Sequence, residues 1–443
     1  MSHPLNPIVS TPALPTTADV VVIGGGIVGI SAALDLSRRG LKVAVLEKGL
    51  IGAEQSSRNW GWVRQQGRDR RELPLIVKSL AIWEEWQNEA DLDLGFRRSG
   101  LLSLTRDPKE LARWRRWAVN GRAAGIAVDE LSARDAEAAL PSRSGPWVGG
   151  LHTPTDAQAE PALATPALAK AARRAGATLH QQTAARGLEI IDRAVSGVIT
   201  EHGRIATRSV LLAGGAWSSL FLRQHDIRLP QLNVRLTVVR TTEAPEIVAG
   251  TFCSTDFCLR RRLDHGFSLT LRGDETFDLS PDGFRYFLDF LPVLRRNHAD
   301  IKFRIGSHFL DELKRGRTRS AREKSAFEEI RIHDPAPDSA VARKALERFK
   351  RGRPELNDVT SAETWAGRID MTPDLVPVIS TVPALDGLIV ATGFSGHGFG
   401  IGPGAGRLAS DLLHNEAPIV DPSPFRLTRF SDGTPIFIDA DVI

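Results

Sequence analysis

Three glycines spaced as Gly24-x-Gly26-x-x-Gly29 follow the apolar run Asp19-Val-Val-Val-Ile23 directly. They precede a segment, Ile30 to Gly40, that carries Ala33, Leu34 and Leu36 at helical spacing and ends in Arg38-Arg39-Gly40, a basic last turn with a glycine stop. A second apolar run, Lys42-Val-Ala-Val-Leu-Glu47, completes a strand–helix–strand unit. In that setting each glycine has a physical reason: Gly24 for the sharp turn, Gly26 for close approach of backbone to a pyrophosphate, and Gly29 for tight packing of helix on strand. The helix start then offers N–H groups and the positive end of its dipole to phosphates. Glu47, at the end of the second strand, stands where a carboxylate accepts hydrogen bonds from ribose hydroxyls. It would repel a 2′-phosphate, which disfavours NADP and leaves NAD and FAD.

The choice between those two comes from the other end of the chain. Gly387-Leu-Ile-Val-Ala-Thr392 reads as a strand, and Gly393 to Gly406 as a glycine-rich turn feeding a helix from Arg407 to Leu413. A second helix start beside the ligand, built around Gly396, Gly398, Gly400 and Ile401, suits a flavin, whose N1–C2=O edge gathers negative charge on reduction. Lys48, Ser56, Ser57, Gly214 and Trp217 are the further candidates for cofactor contact.

These motifs need elements to hold them. Residues 75–90 and 107–124 read as helices whose aromatic stripes are core packing, and Leu163 to Gly176 as another helix. Strands are expected at Ala194 to Thr200, Arg204 to Gly214, Val234 to Val239 and Phe267 to Leu271, with a charged, helix-prone block from 283 to 350. The change of character between about 227 and 365 marks a domain inserted into the first. The expected fold class is α/β, a Rossmann-like dinucleotide domain (18–90, 155–226 and 366–415) with an interleaved α+β substrate domain (91–154 and 227–365). Residues 1–17 form an N-terminal tail and 416–443 a C-terminal extension.

A chain of 443 residues with 42% hydrophobic and 25% charged content has the composition of a globular enzyme. Its 57 basic and 53 acidic residues nearly balance, so nucleic acid is not an expected partner. Arginine still clusters at Arg58, Arg64, Arg68, Arg70 and Arg71 and at Arg260, Arg261 and Arg262, either as solvated faces or as a hint of an anionic substrate. Cys253 and Cys258, five apart in what reads as one strand, would point to opposite faces, which argues for two reduced thiols and neither a bridge nor a metal site. The Pro-rich start lacks a charged leader and an apolar core, and no run is long enough to span a membrane, so the cytoplasm is the expected address.

The Gly24 fingerprint, Leu211-Leu-Ala-Gly-Gly-Ala-Trp217, Trp365-Ala-Gly-Arg-Ile-Asp-Met-Thr-Pro-Asp374 and Gly396-His-Gly-Phe-Gly-Ile-Gly-Pro-Gly404 together resemble the FAD-dependent amine oxidoreductase superfamily of D-amino-acid oxidase, glycine oxidase and sarcosine oxidase. The resemblance spans nearly the whole chain. It implies an FAD domain assembled from discontinuous segments, a substrate domain whose mixed sheet roofs the flavin, and hydride transfer to flavin N5 that yields an imine hydrolysed in water. Similar sarcosine oxidases hold FAD covalently through a cysteine where Gly367 stands, which implies noncovalent FAD here. Glycine-oxidase-like enzymes place a carboxylate-binding arginine where Ile369 stands.

Arg368 is then either a displaced clamp for a carboxylate or phosphonate or one half of an ion pair. Ser56 to Gly67 lies where relatives run past the isoalloxazine ring, so Arg64 or Gln65 is a candidate to face the substrate, with Asn59 and Trp62 packing the loop. His397 is read either as lining the flavin edge or as a hydrogen-bonded turn residue. Asp370 and Asp374 either tune the substrate or cap a turn. No general base is compelling, and a neutral amine held in the right orientation needs none. The partners expected are an amine or amino-acid substrate, anionic in one reading, and oxygen or another electron acceptor. Two other readings remain: an FAD-carrying subunit of a multi-subunit dehydrogenase, and a same-fold enzyme acting on a hydroxy acid.

Overall fold

The first strand, Val20–Ile23 (β1), is apolar and buried on both faces, as a central parallel strand must be. It runs through the glycine turn into helix Ile27–Arg38 (α1) and on to strand Val43–Leu46 (β2). Later segments return to the same sheet or build a second one. In chain order they are helix Leu73–Gln87 (α2), helix Pro161–Arg174 (α3), strands Thr178–His180 (β3) and Val210–Leu212 (β4), then Leu232–Thr241 (β5) and Ser361–Met371 (β6) of the second sheet, Val378–Thr381 (β7), Leu388–Thr392 (β8) and helix Gly398–Leu413 (α4). The six-stranded sheet has the order β7-β8-β4-β1-β2-β3, parallel throughout except for β7 at the edge. This computed structural model describes residues 5–89, 91–273, 275–297, 301–304, 309, 313 and 321–441.

The second, larger sheet is mixed. Strands β5 and β6 pair antiparallel along their length, with Leu236 opposite Gly367 and Arg235 opposite Arg368. From β5 the sheet continues through Phe267–Thr270, Cys258–Arg261 and Thr251–Ser254 to Leu101–Thr105, which pairs with Thr251–Ser254 in parallel. The arginine run on this sheet is structural: Arg260, with no solvent exposure, makes a bidentate pair with Glu160 at 2.6 and 2.9 Å, Arg262 pairs with Asp264, and Arg261 donates to the carbonyl of Ala244.

Three expectations change. Cys253 and Cys258 do not share a strand: a turn at Ser254 to Phe257 reverses the chain, so they sit directly opposite each other on paired strands and form a disulfide. The stretch from 204 to 214 is two strands in different sheets, Gly203–Ala206 and β4, separated at Thr207. The glycine-rich segment from 393 to 406 is a turn only as far as His397, and α4 begins at Gly398, about two helical turns earlier than glycine content suggests. Close packing is the reason. A Cβ on Gly402 would lie 3.0 Å from the Ile27 side chain, one on Gly404 2.9 Å from the Leu75 carbonyl, and one on Gly406 2.7 Å from the Ala32 nitrogen. Gly402 and Gly406, four residues apart on one face, thus let α4 rest against α1, and Gly404 on another face lets it rest against α2.

Within the charged block, helices occur at Pro281–Arg285, Phe287–Asn297, Ala326–Glu329 and Ser339–Lys350, with a strand at Ile301–Arg304. Most of 305–320 lies outside the described residues. No helix among the described residues is long and apolar enough to cross a membrane, and none of their side chains cluster as a metal site.

Candidate active site

At the end of β1 the backbone turns at Gly24 with φ +112°, and a Cβ there would lie 2.3 Å from the Ala213 carbonyl oxygen. Gly29 is equally constrained, 2.1 Å from the Gly24 oxygen, and serves packing within the unit. Gly26 caps α1, and beside it the Ser56 hydroxyl accepts from the Ile27 N–H at 2.8 Å. The Glu47 carboxylate accepts from the Gly25 N–H at 2.8 Å and the Gly49 N–H at 2.7 Å, one on each oxygen. Burial pushes this carboxyl above its usual range, with Lys48 and the two N–H groups acting in the opposite sense. Its oxygens keep acceptor capacity beyond those bonds, as ribose hydroxyls require.

These groups line a cavity of about 860 Å³, walled on its far side by Gly214 and Trp217. Backbone N–H donors at the helix start, the Glu47 carboxylate beside the glycine turn and glycine walls fit a dinucleotide. Lys48 lines the cavity, and its ammonium is held there by Glu54 at 2.6 Å, by the carbonyls of Ile330 and Arg331 and over the Trp217 ring. Ser57 turns inward to the Glu54 carbonyl, and Ile401 is a core residue; neither lines the cavity. Gly398 packs under Phe394.

A second chamber, of about 820 Å³, meets the first at Gln55 and is walled by Trp60, Trp62, Leu236, Ile369 and Phe399 with Arg58, Arg64, Arg68, Gly396, His397 and Gly400. Strand β6 divides the two. Gly367 and Ile369 face the chamber, whereas Arg368 and Asp370 face the dinucleotide cavity, as strand alternation dictates. Arg368 is therefore on the wrong side to clamp a chamber ligand. Its Nη2 lies 3.4 Å from Asp278, which is the ion-pair reading. Asp370 caps the loop after β8 by accepting from the Gly393 N–H at 2.8 Å, and burial lifts it to about 6. Asp374 is locked to Arg429 at 2.9 and 3.1 Å.

Arg64 and Arg68 differ from those paired arginines. Among the described residues, the Arg64 side chain donates only to the Gln66 carbonyl, at 2.7 Å, and lies over the Trp62 ring, and Arg68, 2% exposed, donates to the Arg64 carbonyl and has a buried Nη1 without a partner. Neither forms an ion pair among the described residues. Burial, followed by Arg68 beside it, pushes Arg64 down to about 9. By contrast Arg58, the third arginine, is neutralised by Asp334 at 2.6 Å.

His397 stands immediately before α4 with Nδ1 3.2 Å from the buried Glu72 carboxylate. Burial, then the positive charge of Arg68, pushes its pKa down to about 4, so the ring is neutral at pH 7. A neutral imidazole facing a carboxylate carries its hydrogen on Nδ1 and keeps Nε2 as an acceptor. Glu72, Gln55, Trp60, Leu236 and Phe399 were not legible as site residues, since nothing in their local sequence marks a contact made across more than one element. Arg68 was visible only as part of a charge cluster.

A family model described as DAO, FAD dependent oxidoreductase, matches residues 19–412. The chain is 29% identical over 418 residues to a glycine oxidase of Pseudomonas aeruginosa, covering 92% of this chain and 97% of that one. It is 26% identical to the mitochondrial sarcosine dehydrogenase of Homo sapiens, spanning 94% of this chain and 42% of that longer protein. Among solved structures, the L-amino acid deaminase of Proteus myxofaciens in complex with anthranilate superposes with a TM-score of 0.93 at 28% identity, covering 97% of both chains.

Proposed function

This chain belongs to the family of FAD-dependent oxidoreductases, and on that premise we propose that it oxidises the C–N bond of an amino acid or secondary amine that carries a carboxylate, using noncovalent FAD. The observation that carries the reading is the Arg64–Arg68 pair, two guanidinium groups without ion-pair partners among the described residues, on the wall of a chamber that meets the dinucleotide cavity at Gln55. A buried cation left unpaired is costly, and a bound carboxylate relieves that cost.

In this reading Glu47, Gly26 and Ser56 hold the adenosine and pyrophosphate parts of FAD, and Gly396 and His397 lie along its ring edge. FAD supplies the acceptor for the hydride that leaves the substrate carbon. The chain's own residues do the rest. Arg64, braced by the Gln66 carbonyl, binds the carboxylate bidentately and fixes which carbon faces the cofactor. Trp60, Trp62, Ile369 and Phe399 exclude water around the reacting carbon. His397, neutral and oriented by Glu72, adds no positive charge to repel a cationic amine and accepts a hydrogen bond at Nε2. The imine product leaves to hydrolyse in water. Gly367 places no side chain where covalent attachment would require a sulfur. The division into a cofactor domain (18–90, 155–226, 366–415) and a substrate domain (91–154, 227–365) belongs to the same proposal. Glycine oxidase, sarcosine dehydrogenase and L-amino acid deaminase are named for amino-acid chemistry of this kind, which supports the substrate class.

The test is anaerobic. Holoenzyme is mixed with D- and L-amino acids, N-methyl amino acids, aminophosphonates and hydroxy acids while the flavin absorbance is followed. Bleaching by amine acids, with FAD released into the supernatant on acid precipitation, is the expected result. Bleaching by hydroxy acids and by no amine would overturn the C–N assignment.

A further inference from the structure

Gln55 is the one described residue that lines both the dinucleotide cavity and the arginine-walled chamber. Its backbone is fixed: it opens the short helix Gln55–Arg58, and the Asn59 side chain donates to its carbonyl at 3.2 Å. Arg58, three residues on, is tied to the carbonyls of Ala53 and Ala366 at 3.0 Å each. Its side chain is treated in the opposite way. The amide oxygen is buried and has no hydrogen-bond partner. It sits over Gly367, 2.3 Å from where a Cβ on that residue would be, so the absent side chain on β6 makes the space it occupies. An anchored backbone carrying an unsatisfied, buried acceptor at the junction of two cavities is arranged for a donor that arrives with a ligand.

Building on the reading above, we infer that Gln55 Oε1 accepts a hydrogen bond from the substrate's amine N–H and so orients the nitrogen beside the carbon that loses hydride. The chemistry of the two sites favours the amine as the donor. Arg64 and Arg68 occupy the carboxylate end with donors only, so the amine end needs an acceptor. A neutral acceptor also suits the reaction. Hydride leaves readily from a carbon whose neighbouring nitrogen keeps its lone pair, and a carboxylate at this position would hold that nitrogen as ammonium. A glutamine orients the N–H while stabilising the ammonium far less than a carboxylate would. Gln55 is thus a substrate-contacting residue that leaves the reactive, neutral amine accessible.

The test uses holoenzyme and three variants, Gln55→Glu, Gln55→Leu and Gln55→Asn. Anaerobic flavin reduction by the best amine is measured across pH. Binding of an amine-free carboxylate of the same skeleton is measured by its perturbation of the flavin spectrum, and FAD dissociation by fluorescence. Gln55→Glu is expected to move the rise of reduction rate with pH upward by about one unit. Gln55→Leu is expected to lower the limiting reduction rate at least about tenfold with carboxylate binding within about twofold of wild type, and Gln55→Asn to recover part of the loss. The other charged groups of the two cavities, Arg58, Arg64, Arg68, His397 with Glu72, Glu47, Lys48, Glu54, Arg368 and Asp370, are common to all four proteins, so a shift between them reports position 55. An unchanged pH profile in Gln55→Glu overturns the inference. So does a Gln55→Leu enzyme that loses FAD affinity or changes its flavin spectrum while amine-dependent reduction stays at the wild-type rate, because the acceptor would then belong to the cofactor. Failure of any amine to bleach the wild-type flavin is a different result, which removes the C–N reading itself.

Discussion

Glu47 and Arg64 lie in different cavities, so changing each one tests a different half of the site. Glu47→Gln places an amide N–H₂ against one of two backbone N–H groups and weakens a hydrogen bond to a charged acceptor, a loss of about 1.5–3 kcal/mol. The expected outcome is FAD binding weakened by about 10- to 150-fold in a fluorescence titration, and unchanged binding would remove Glu47 from the cofactor site. Arg64→Gln should raise the apparent Kd of the amino-acid substrate by a similar factor, with the flavin spectrum unaltered. An equal loss for an amine lacking a carboxylate would contradict the role assigned to it. His397, held near 4 in the folded protein against 6.5 when unfolded, carries a pH signature. As pH falls below about 6.5 the unfolded chain takes up the proton first, so stability is full above that value and is lost progressively toward pH 4. His397→Gln should flatten the decline of Tm over that window, and a decline as steep as wild type would show that other groups cause it. The glycine fingerprint and Glu47 were readable because their chemistry is local. The pairing of His397 with Glu72, and of Arg368 with Asp278, was not, since each is made between residues far apart in the chain.

Helix α4 shows why element boundaries were harder to read than element types. Glycine is a poor helix former by about 1 kcal/mol relative to alanine, so Gly398, Gly400, Gly402, Gly404 and Gly406 read as a turn. The fold overrides that preference because three of these glycines let the helix lie against neighbouring backbone. Gly406→Ala separates the two effects. Propensity alone predicts a gain of up to about 1 kcal/mol, whereas a Cβ placed 2.7 Å from the Ala32 nitrogen and the Ser31 side chain costs about 1–3 kcal/mol of overpacking. The net expectation is a lower Tm and weaker FAD retention in a melting experiment with and without added cofactor, and a higher Tm would mean that the contact yields. The cysteine pair failed for a related reason. A strand pattern was extended through Ser254-Thr-Asp-Phe257, where the Ser254 hydroxyl takes up the Asp256 N–H and turns the chain.

At the scale of the molecule, early and late segments of the polypeptide share one sheet, with β8 beside β4 and β4 beside β1. The C-terminal extension is fastened to the loop after β6 by Arg429, which is 5% exposed and grips both oxygens of Asp374; Arg71 supplies a second, longer contact at 3.2 Å. Arg429→Met leaves a buried carboxylate with only Arg71 and the Val376 N–H, at 3.3 Å, among the described residues. A loss of about 3 kcal/mol, the lower end for breaking a buried pair, is expected in denaturant unfolding, and a change below about 1 kcal/mol would show that the extension is dispensable. The α/β class and the strand–helix–strand unit of β1, α1 and β2 were legible from periodicity and glycine spacing. The route of β6 between two cavities was not, because alternation reveals that a strand has two faces and not what lies on each. That route has an evolutionary consequence. With Gly367 and Ile369 turned one way and Arg368 and Asp370 the other, substitutions at alternate positions of a single strand fall on separate walls, so a lineage can reshape one cavity a residue at a time while the other keeps its lining.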